Sequence, residues 1–480
     1  MDADYEAVIG LEVHCQLQTE SKLFSGARAA FGAPPNTLID PTVLGLPGAL
    51  PVVNARAVEL AVRAALAFGG QVQERSLFER KHYFYPDLPK GYQISQYERP
   101  YCLGGAVTID LPEGGTRDIG LVRIHLEEDA GKLMHDERGP WSRVDLNRAG
   151  VPLIEIVSQP DLRSPAEAYA YLWELRRVLR WVGVSDCEMQ EGSLRCDANV
   201  SVRRRGEQRL GTRVEIKNLN SLRHVEAAIA YEIARQSALC RAGRAHEIER
   251  CTVLWDPDAK VTRPMRGKED AADYRYFPDP DLPPLRLSAE RIAAIRAAMP
   301  DLPRQRERWL CERYGIEPAA ARELTQERAV ADFVEDLIRR GAPPRLAANW
   351  TREEALRRVA ETGKPIAEAL PPALLAAVIA LVESGQVARV VAKAELDALL
   401  TSGEPPAQYF ASRGMIQVQD SAQLAAWVAQ AIAAEPKAAA ELRAGNDKAI
   451  GRLVGVTMKL SGGKAQPQAV QAEIRRQLGL

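Results

Sequence analysis

Ile9-Gly-Leu-Glu-Val-His-Cys-Gln-Leu-Gln18 alternates almost strictly, with Leu11, Val13 and Cys15 on one face of an extended strand and Glu12, His14 and Gln16 on the other. One face suits a core. The other presents a carboxylate, an imidazole and an amide to whatever covers the sheet. A strand is therefore expected over Ala7–Leu17, and short β-branched runs bounded by turn residues recur at Leu121–Leu126, Leu153–Ser158, Ala198–Arg203 and Arg213–Lys217. Two helices interrupt them. Ser164-Pro165-Ala166-Glu167 reads as a capping box with Pro at the first helical position, opening a helix that Gly183 ends. A second helix is expected from Ser221 to Arg241, stopped by Gly243. Strands and helices mixed without regular βαβ alternation predict an α+β sheet rather than a doubly wound one.

The full chain of 480 residues is too long for one core, and 46% hydrophobic content supplies material for two to four domains. Lys and Arg number 63 against 64 Asp and Glu, so no global field draws the whole molecule onto polyanions and any such binding must be local. The cysteines at 15, 102, 187, 196, 240, 251 and 311 are odd in number and scattered, which fits neither a disulfide framework nor a zinc site. With an acidic N-terminus and no apolar run of about 18 residues, the expectation is a reducing cytoplasm, with neither secretion nor membrane insertion. All six histidines lie in the first 250 residues, so chemistry belongs there. From about Ser288 the texture turns to Ala, Leu, Glu and Arg at helical spacing, broken at Pro300–Pro303, Pro343-Pro344, Pro371-Pro372 and Pro405-Pro406, which predicts an all-helical second half. Pro436–Leu480 holds eight basic residues against three acidic ones, a candidate contact for a polyanion or a solvated helix face.

Two acidic sites accompany the polar face of the opening strand. Arg123-Ile-His-Leu-Glu-Glu-Asp-Ala-Gly-Lys132 ends a strand in three adjacent carboxylates, and Glu155 stands alone among apolar neighbours in Pro152-Leu-Ile-Glu-Ile-Val-Ser158. Carboxylates in apolar strands are costly unless paired, hydrogen-bonded or bound to a cation. Magnesium suits scattered carboxylates because it keeps several waters and takes substrate phosphates for the rest. Ordinary pairing of Glu128 and Glu155 with nearby arginines accounts for them equally, and a lone strand histidine is commonly just hydrogen-bonded. Residues 81–96, KHYFYPDLPKGYQISQ, have the aromatics and amides to stack on a nucleotide or tRNA end, or to pack a surface loop. Arg195, Asp197 and Asn199 alternate along one strand, as do Arg213, Glu215 and Lys217 along another, either as a site or as a solvated face of ion pairs. The chain has no P-loop, dinucleotide turn, G-x-S-x-G elbow or HExxH motif, so any use of ATP lies outside the P-loop scheme.

Taken together, VIGLEVHCQL, HYFYPDLPKGYQISQ, RIHLEEDAGK, VDLNRAGVPLIEIVS, EGSLRCDANVSVR, EIKNLNSLRHVEAAIAYE, DYRYFPDPDLPPL and the C-terminal GNDKAIGRLVGVTMKLSGGKAQPQAV resemble the B subunit of the bacterial glutamyl-tRNA(Gln)/aspartyl-tRNA(Asn) amidotransferase. The resemblance spans nearly the whole chain and keeps the family's order. It implies a glutamine-synthetase-like mixed-sheet cradle over residues 1–290 for ATP, magnesium and the aminoacyl end of tRNA. A helical domain over 291–405 and a small helical tRNA-binding tail over 406–480 are implied to follow. The implied activity is ATP-dependent phosphorylation of the side-chain carboxylate of mischarged Glu-tRNA(Gln) or Asp-tRNA(Asn), followed by displacement of phosphate by ammonia. Ammonia is expected from a separate amidase subunit, since this chain has no Ser-Ser-Lys signature, and a small third subunit completes a heterotrimer. Carried onto matching positions, the family's metal site implies His14, Glu128 and Glu155, with Glu12 as a further or outer ligand. Arg195 and Lys217 are inferred phosphate contacts, from alternation more than from the family.

Two departures stand out. Where many members carry a cysteine zinc knuckle, this chain has Ser25, Ala27, Asp40 and Val43, so no zinc is expected and packing must hold that loop. Arg250-Cys-Thr-Val-Leu-Trp-Asp256 lacks the family's usual Glu-Thr-Arg approach to the Trp-Asp pair, which puts a role for that loop in doubt. The rival reading is a non-catalytic tRNA-binding scaffold, against which the clustered acids count. A free-standing ligase of glutamine-synthetase type is disfavoured by the long helical half and basic tail.

Overall fold

The computed structural model describes residues 4–135, 139, 141–265, 274–417, 421–462 and 465–480. Asp273, which opens the DYRYF segment, and Gly463-Lys464 of the tail motif lie outside the described residues. The strand Tyr5–Gln16 forms as its alternation predicts and sits in the middle of a ten-stranded sheet. Across that sheet the order is Val261–Pro264, Thr252–Asp256, Val214–Leu219, Leu194–Arg204, Tyr5–Gln16, Pro152–Ser158, Thr116–Glu128, Cys102–Leu103 and Gln71–Val72, with Ala106–Asp110 also paired to Thr116–Glu128. Pairing is antiparallel except between Val214–Leu219 and Thr252–Asp256, giving the mixed sheet of an α+β unit.

Alternation then sorts the faces. Val13, Cys15, Ile124, Ile154, Ile156, Ala198, Val200 and Ile216 are all buried. Against this side pack the helices Ala55–Ala67, Pro165–Trp181 and Leu222–Arg241 with their own buried Leu60, Ala64, Tyr171, Leu175, Val225 and Ile229. Truncating one of these large side chains to alanine costs about 2–5 kcal/mol. Both predicted helix starts are capped: Ser164 accepts from Glu167 N–H and Ser221 from His224 N–H. The Glu167 carboxylate reaches past Ser164 to accept from Arg163 N–H at 2.8 Å, a variation on the expected box.

The chain divides into two compact units, Met1–Leu302 and Pro303–Leu480. The boundary falls after 302 rather than 290 because the helix Ala289–Ala297 packs on Ala55–Ala67 and Trp181 Nε1 donates to Asp301 O at 2.8 Å. The second unit is helical among its described residues and holds two cores. One gathers Leu310, Phe333, Trp350, Ile379, Leu399 and Phe410; the other, in the tail, gathers Val428, Leu442, Leu453, Val470 and Ile474. No helix of the described residues is long and apolar enough to cross a membrane.

At the positions without cysteines, Ala27 N–H donates to Ser25 Oγ at 3.2 Å and Val43 N–H to Asp40 Oδ1 at 2.9 Å. Lys22 anchors this loop: fully buried, its Nζ donates to Ala149 O at 2.6 Å. Ala149 leads into Gly150, whose φ of +81° suits glycine and whose N–H donates to Asp129 O at 2.8 Å. Burial pulls the Lys22 ammonium down to about 8 against the opposing pull of Asp40, Glu128 and Asp145. An unfolded lysine keeps its proton to about pH 10.4, so between these values the unfolded chain binds the extra proton and stability rises with pH. The stability advantage of the wild type over Lys22→Met, from denaturant midpoints, should therefore widen between pH 7 and 10; a constant or shrinking difference would contradict it.

Candidate active site

Register across three strands builds the polar face. His14 lies opposite Glu155 on one side and Arg195 on the other, while Glu155 lies opposite His125. Two residues on from His125, strand parity returns Glu127 to the same face. His14 Nε2 stands 3.5 Å from Glu155 Oε2 and 3.7 Å from Glu127 Oε1. His125 Nε2 lies behind them, 3.3 Å from Glu155 and 3.6 Å from Glu127.

Glu128, expected beside His14 and Glu155, is placed elsewhere. Parity turns it away from Glu127, and its carboxylate pairs with Lys90 and accepts from Ile94 N–H at 2.9 Å. Glu12 shares the polar face but accepts from Asn199 Nδ2 at 3.0 Å rather than joining the cluster. Burial, and then Glu155, Glu215 and Asp197, raise its pKa. Among the described residues, the group able to close on one metal ion is His14, Glu127 and Glu155, whose ligand atoms lie within 4.8 Å of one another. One imidazole and two carboxylates, of which His14 and Glu127 line a cleft, fit a divalent cation that keeps waters for its remaining positions.

Electrostatics keep the two carboxylates ionised. Burial alone would raise both carboxyls, but His125 and His14 hold Glu155 well below the usual range, and the His125 hydrogen bond lowers Glu127. Burial lowers His125 in turn, yet Glu155 and Glu127 carry it up to about 9, an imidazolium at neutral pH. Nearby, buried Asp129 accepts from Arg195 Nη2 and from Gln16 Nε2, each at 2.8 Å, and lies 3.7 Å from Arg148 Nε. Lys217 Nζ bridges Asp197 at 2.7 Å and Glu215 at 2.9 Å, and these carboxylates raise its pKa against the pull of burial. Arg195 and Lys217 remain about one-third exposed, at 34% and 35%, so both keep a side toward solvent. The doubtful 250–256 segment forms the strand Thr252–Asp256, and Thr252 Oγ1 donates to Glu215 at 2.7 Å.

His14, Glu127, Asp129, Arg148, Arg195, Asp197 and Lys217 line one cleft of about 1400 Å³, together with Lys81, Tyr83 and Gln93 from the aromatic segment. The sequence singled out the three adjacent carboxylates at 127–129 but gave a role only to Glu128, leaving Glu127, Asp129 and His125 unassigned. Counting by twos from His125 would have found the first.

Residues 7–293 match the GatB/GatE catalytic domain family and residues 332–478 the GatB domain. Relatives that carry the name of the aspartyl/glutamyl-tRNA(Asn/Gln) amidotransferase B subunit align end to end. The protein of Thermosynechococcus vestitus is 50% identical over 99% of this chain and 96% of its own. Those of Carboxydothermus hydrogenoformans and Variovorax paradoxus are 45% and 49% identical, each over 99% of both chains. The chain belongs to this amidotransferase family. The motifs that suggested it, from the opening strand to the tail, fall inside the two matched regions.

Parity gives a direct test. Manganese binding followed by electron paramagnetic resonance should weaken more than ~10-fold in Glu127→Gln and Glu155→Gln, since loss of even an outer partner of a metal ligand costs about that much, and hold nearly unchanged in Glu128→Gln. Equal loss in all three would return Glu128 to the site.

Proposed function

We propose that this chain activates and amidates the side-chain carboxylate of mischarged Glu-tRNA(Gln), Asp-tRNA(Asn) or both, within a tRNA-dependent amidotransferase. What carries the reading is the cleft itself, lined by His14, Glu127, Lys81, Arg148, Arg195 and Lys217, with Glu155 against His14, in a chain of the GatB family. A scaffold that only bound tRNA would have no use for paired carboxylates held ionised behind a buried imidazolium.

The chemistry follows from charge. A carboxylate resists ammonia because it is anionic and would have to expel oxide. Its oxygen instead attacks the γ-phosphorus of ATP, the bond to the bridging oxygen breaks, ADP leaves, and an acyl phosphate forms. Ammonia then adds to the acyl carbon, phosphate departs with the former carboxylate oxygen, and the nitrogen loses a proton to give the amide. Such transfers depend chiefly on positioning and on charge placed around the phosphoryl oxygens. Arg195 and Lys217 supply two of those cations, each aimed by the carboxylates it already pairs with. Magnesium held by His14, Glu127 and Glu155 would neutralise further phosphate charge.

The finer architecture belongs to the same proposal. The sheet, with helices on one face and a polar face lining the cleft, is read as a glutamine-synthetase-like cradle. Ammonia is taken to come from a partner amidase subunit, with a small third subunit completing a cytoplasmic heterotrimer. Incubating the reconstituted complex with ATP, glutamine and each mischarged tRNA should yield one ADP per amide formed. Amide without ADP, or neither product, would overturn the reading.

Residues 406–480 are proposed as the tRNA-binding tail, behind a helical domain that begins at Pro303. Lys437, Arg443, Lys448, Arg452 and Lys459 are exposed on the helices around the second core. Replacing Arg443, Lys448 and Arg452 by Gln should weaken tRNA binding and flatten its salt dependence by roughly one unit of slope per lost phosphate contact. An unchanged slope would make this charge a solvated helix face.

A further inference from the structure

The strand Glu79–His82 pairs with Tyr92–Ser95 on one side and with Phe277-Pro278 on the other, joining the aromatic segment to a strap far along the chain. Arg80 locks the strap through Asp279 and Asp281, both at 2.8 Å. This pairing assembles a line of tyrosine rings. Tyr97 and Tyr276 stack at 4.4 Å with only 12° between planes; Tyr276 meets Tyr274 at 6.2 Å, and Tyr274 meets Tyr83 at 6.3 Å, both edge-on. Cations flank the line at both ends: the Arg123 guanidinium lies 6.0 Å from the Tyr97 ring and Lys81 Nζ lies 5.0 Å from the Tyr274 ring.

The outer end is open, with Tyr97 52% exposed, whereas the inner end, Tyr83 and Lys81, lines the cleft that His14 and Glu127 share. Burial raises the Tyr83 and Tyr276 phenols, with Glu127 adding to both, so they stay neutral and able to donate. Phe84, 88% exposed, lies against Gly91 near this edge. Exposed aromatic faces such as those of Tyr97 and Phe84, beside a cleft and flanked by cations, are the pattern by which proteins hold unpaired nucleic acid.

We propose that the line Tyr97–Tyr276–Tyr274, with Arg123 and Lys81 beside it, is the track on which the unpaired 3′-terminal nucleotides of the aminoacyl-tRNA lie as its amino acid reaches His14 and Glu127. This rests on the amidotransferase reading and adds where the strand runs. A mononucleotide such as ATP needs one ring for its base. A line of rings running from solvent to the cleft, with a cation at each end, offers the open face of Tyr97 to one base and the cations to the phosphates on either side of it.

The test uses the reconstituted complex and deacylated tRNA, intact or trimmed of its unpaired 3′ end. The wild type should prefer intact tRNA by ~10-fold, the lower range for stacking on an aromatic ring. Tyr97→Leu, which keeps bulk against Tyr276 but no π-face, should cut that preference several-fold and raise the KM for aminoacyl-tRNA while the KM for ATP holds. Tyr97→Phe should restore both. Three outcomes would overturn the proposal: an unchanged preference in Tyr97→Leu, an equal loss for intact and trimmed tRNA, or a rise in the KM for ATP in place of that for tRNA, which would make the ring an adenine platform. A wild-type complex that forms no amide fails the functional reading itself, a result distinct from any of these.

Discussion

The antiparallel pairing of Tyr5–Gln16 with a neighbour on each side is the constraint on which this structure depends. It sets His14 between Glu155 and Arg195 and Glu12 opposite Asp197. A slip of one residue would turn Val13 and Cys15 toward the cleft and His14 into the helix-covered core, where an unpaired imidazole is costly. Burial of Leu11, Val13 and Cys15 therefore fixes the register, and the register fixes the site. Hydrophobic packing on one face and catalytic geometry on the other are two readings of one pairing.

Charge on the polar face is arranged in layers of pairs. His125, buried and positive, sits behind Glu127 and Glu155 and keeps them anionic toward the cleft. Asp129 does the converse for Arg195 and Arg148, and Asp197 and Glu215 for Lys217. Each of these groups is aimed by an opposite charge beside or behind it, so its orientation is set before any ligand arrives. Preorganisation of this kind suits a reaction in which little covalent work is asked of the protein and the placement of charge decides the barrier.

The loop over Ser25–Val43 is held by different means. Lys22, buried without a carboxylate in direct contact, donates to Ala149 O and so ties the loop to the turn whose Gly150 supports Asp129. With this tether, local hydrogen bonds at Ser25 and Asp40 hold the segment.

The sequence by itself determined the α+β first part, the central strand and its two faces, both capped helices and the helical second half, because period-two and period-3.6 patterns and cap residues are local. It also carried the family, through long motifs in fixed order. It brought His14 and Glu155 forward as partners, and the pairing of their strands places them side by side. Tertiary structure alone decided the rest. Three adjacent carboxylates at 127–129 cannot be told apart by composition, and only their pairing shows Glu127 facing His14, Glu128 turned to Lys90 and Asp129 gripping Arg195. Joining Tyr97 to Tyr276 needed the strand contact of Arg80 with Phe277, far apart along the chain, which no local pattern encodes. Period fixes which face a residue takes; only the packed sheet fixes what it meets there.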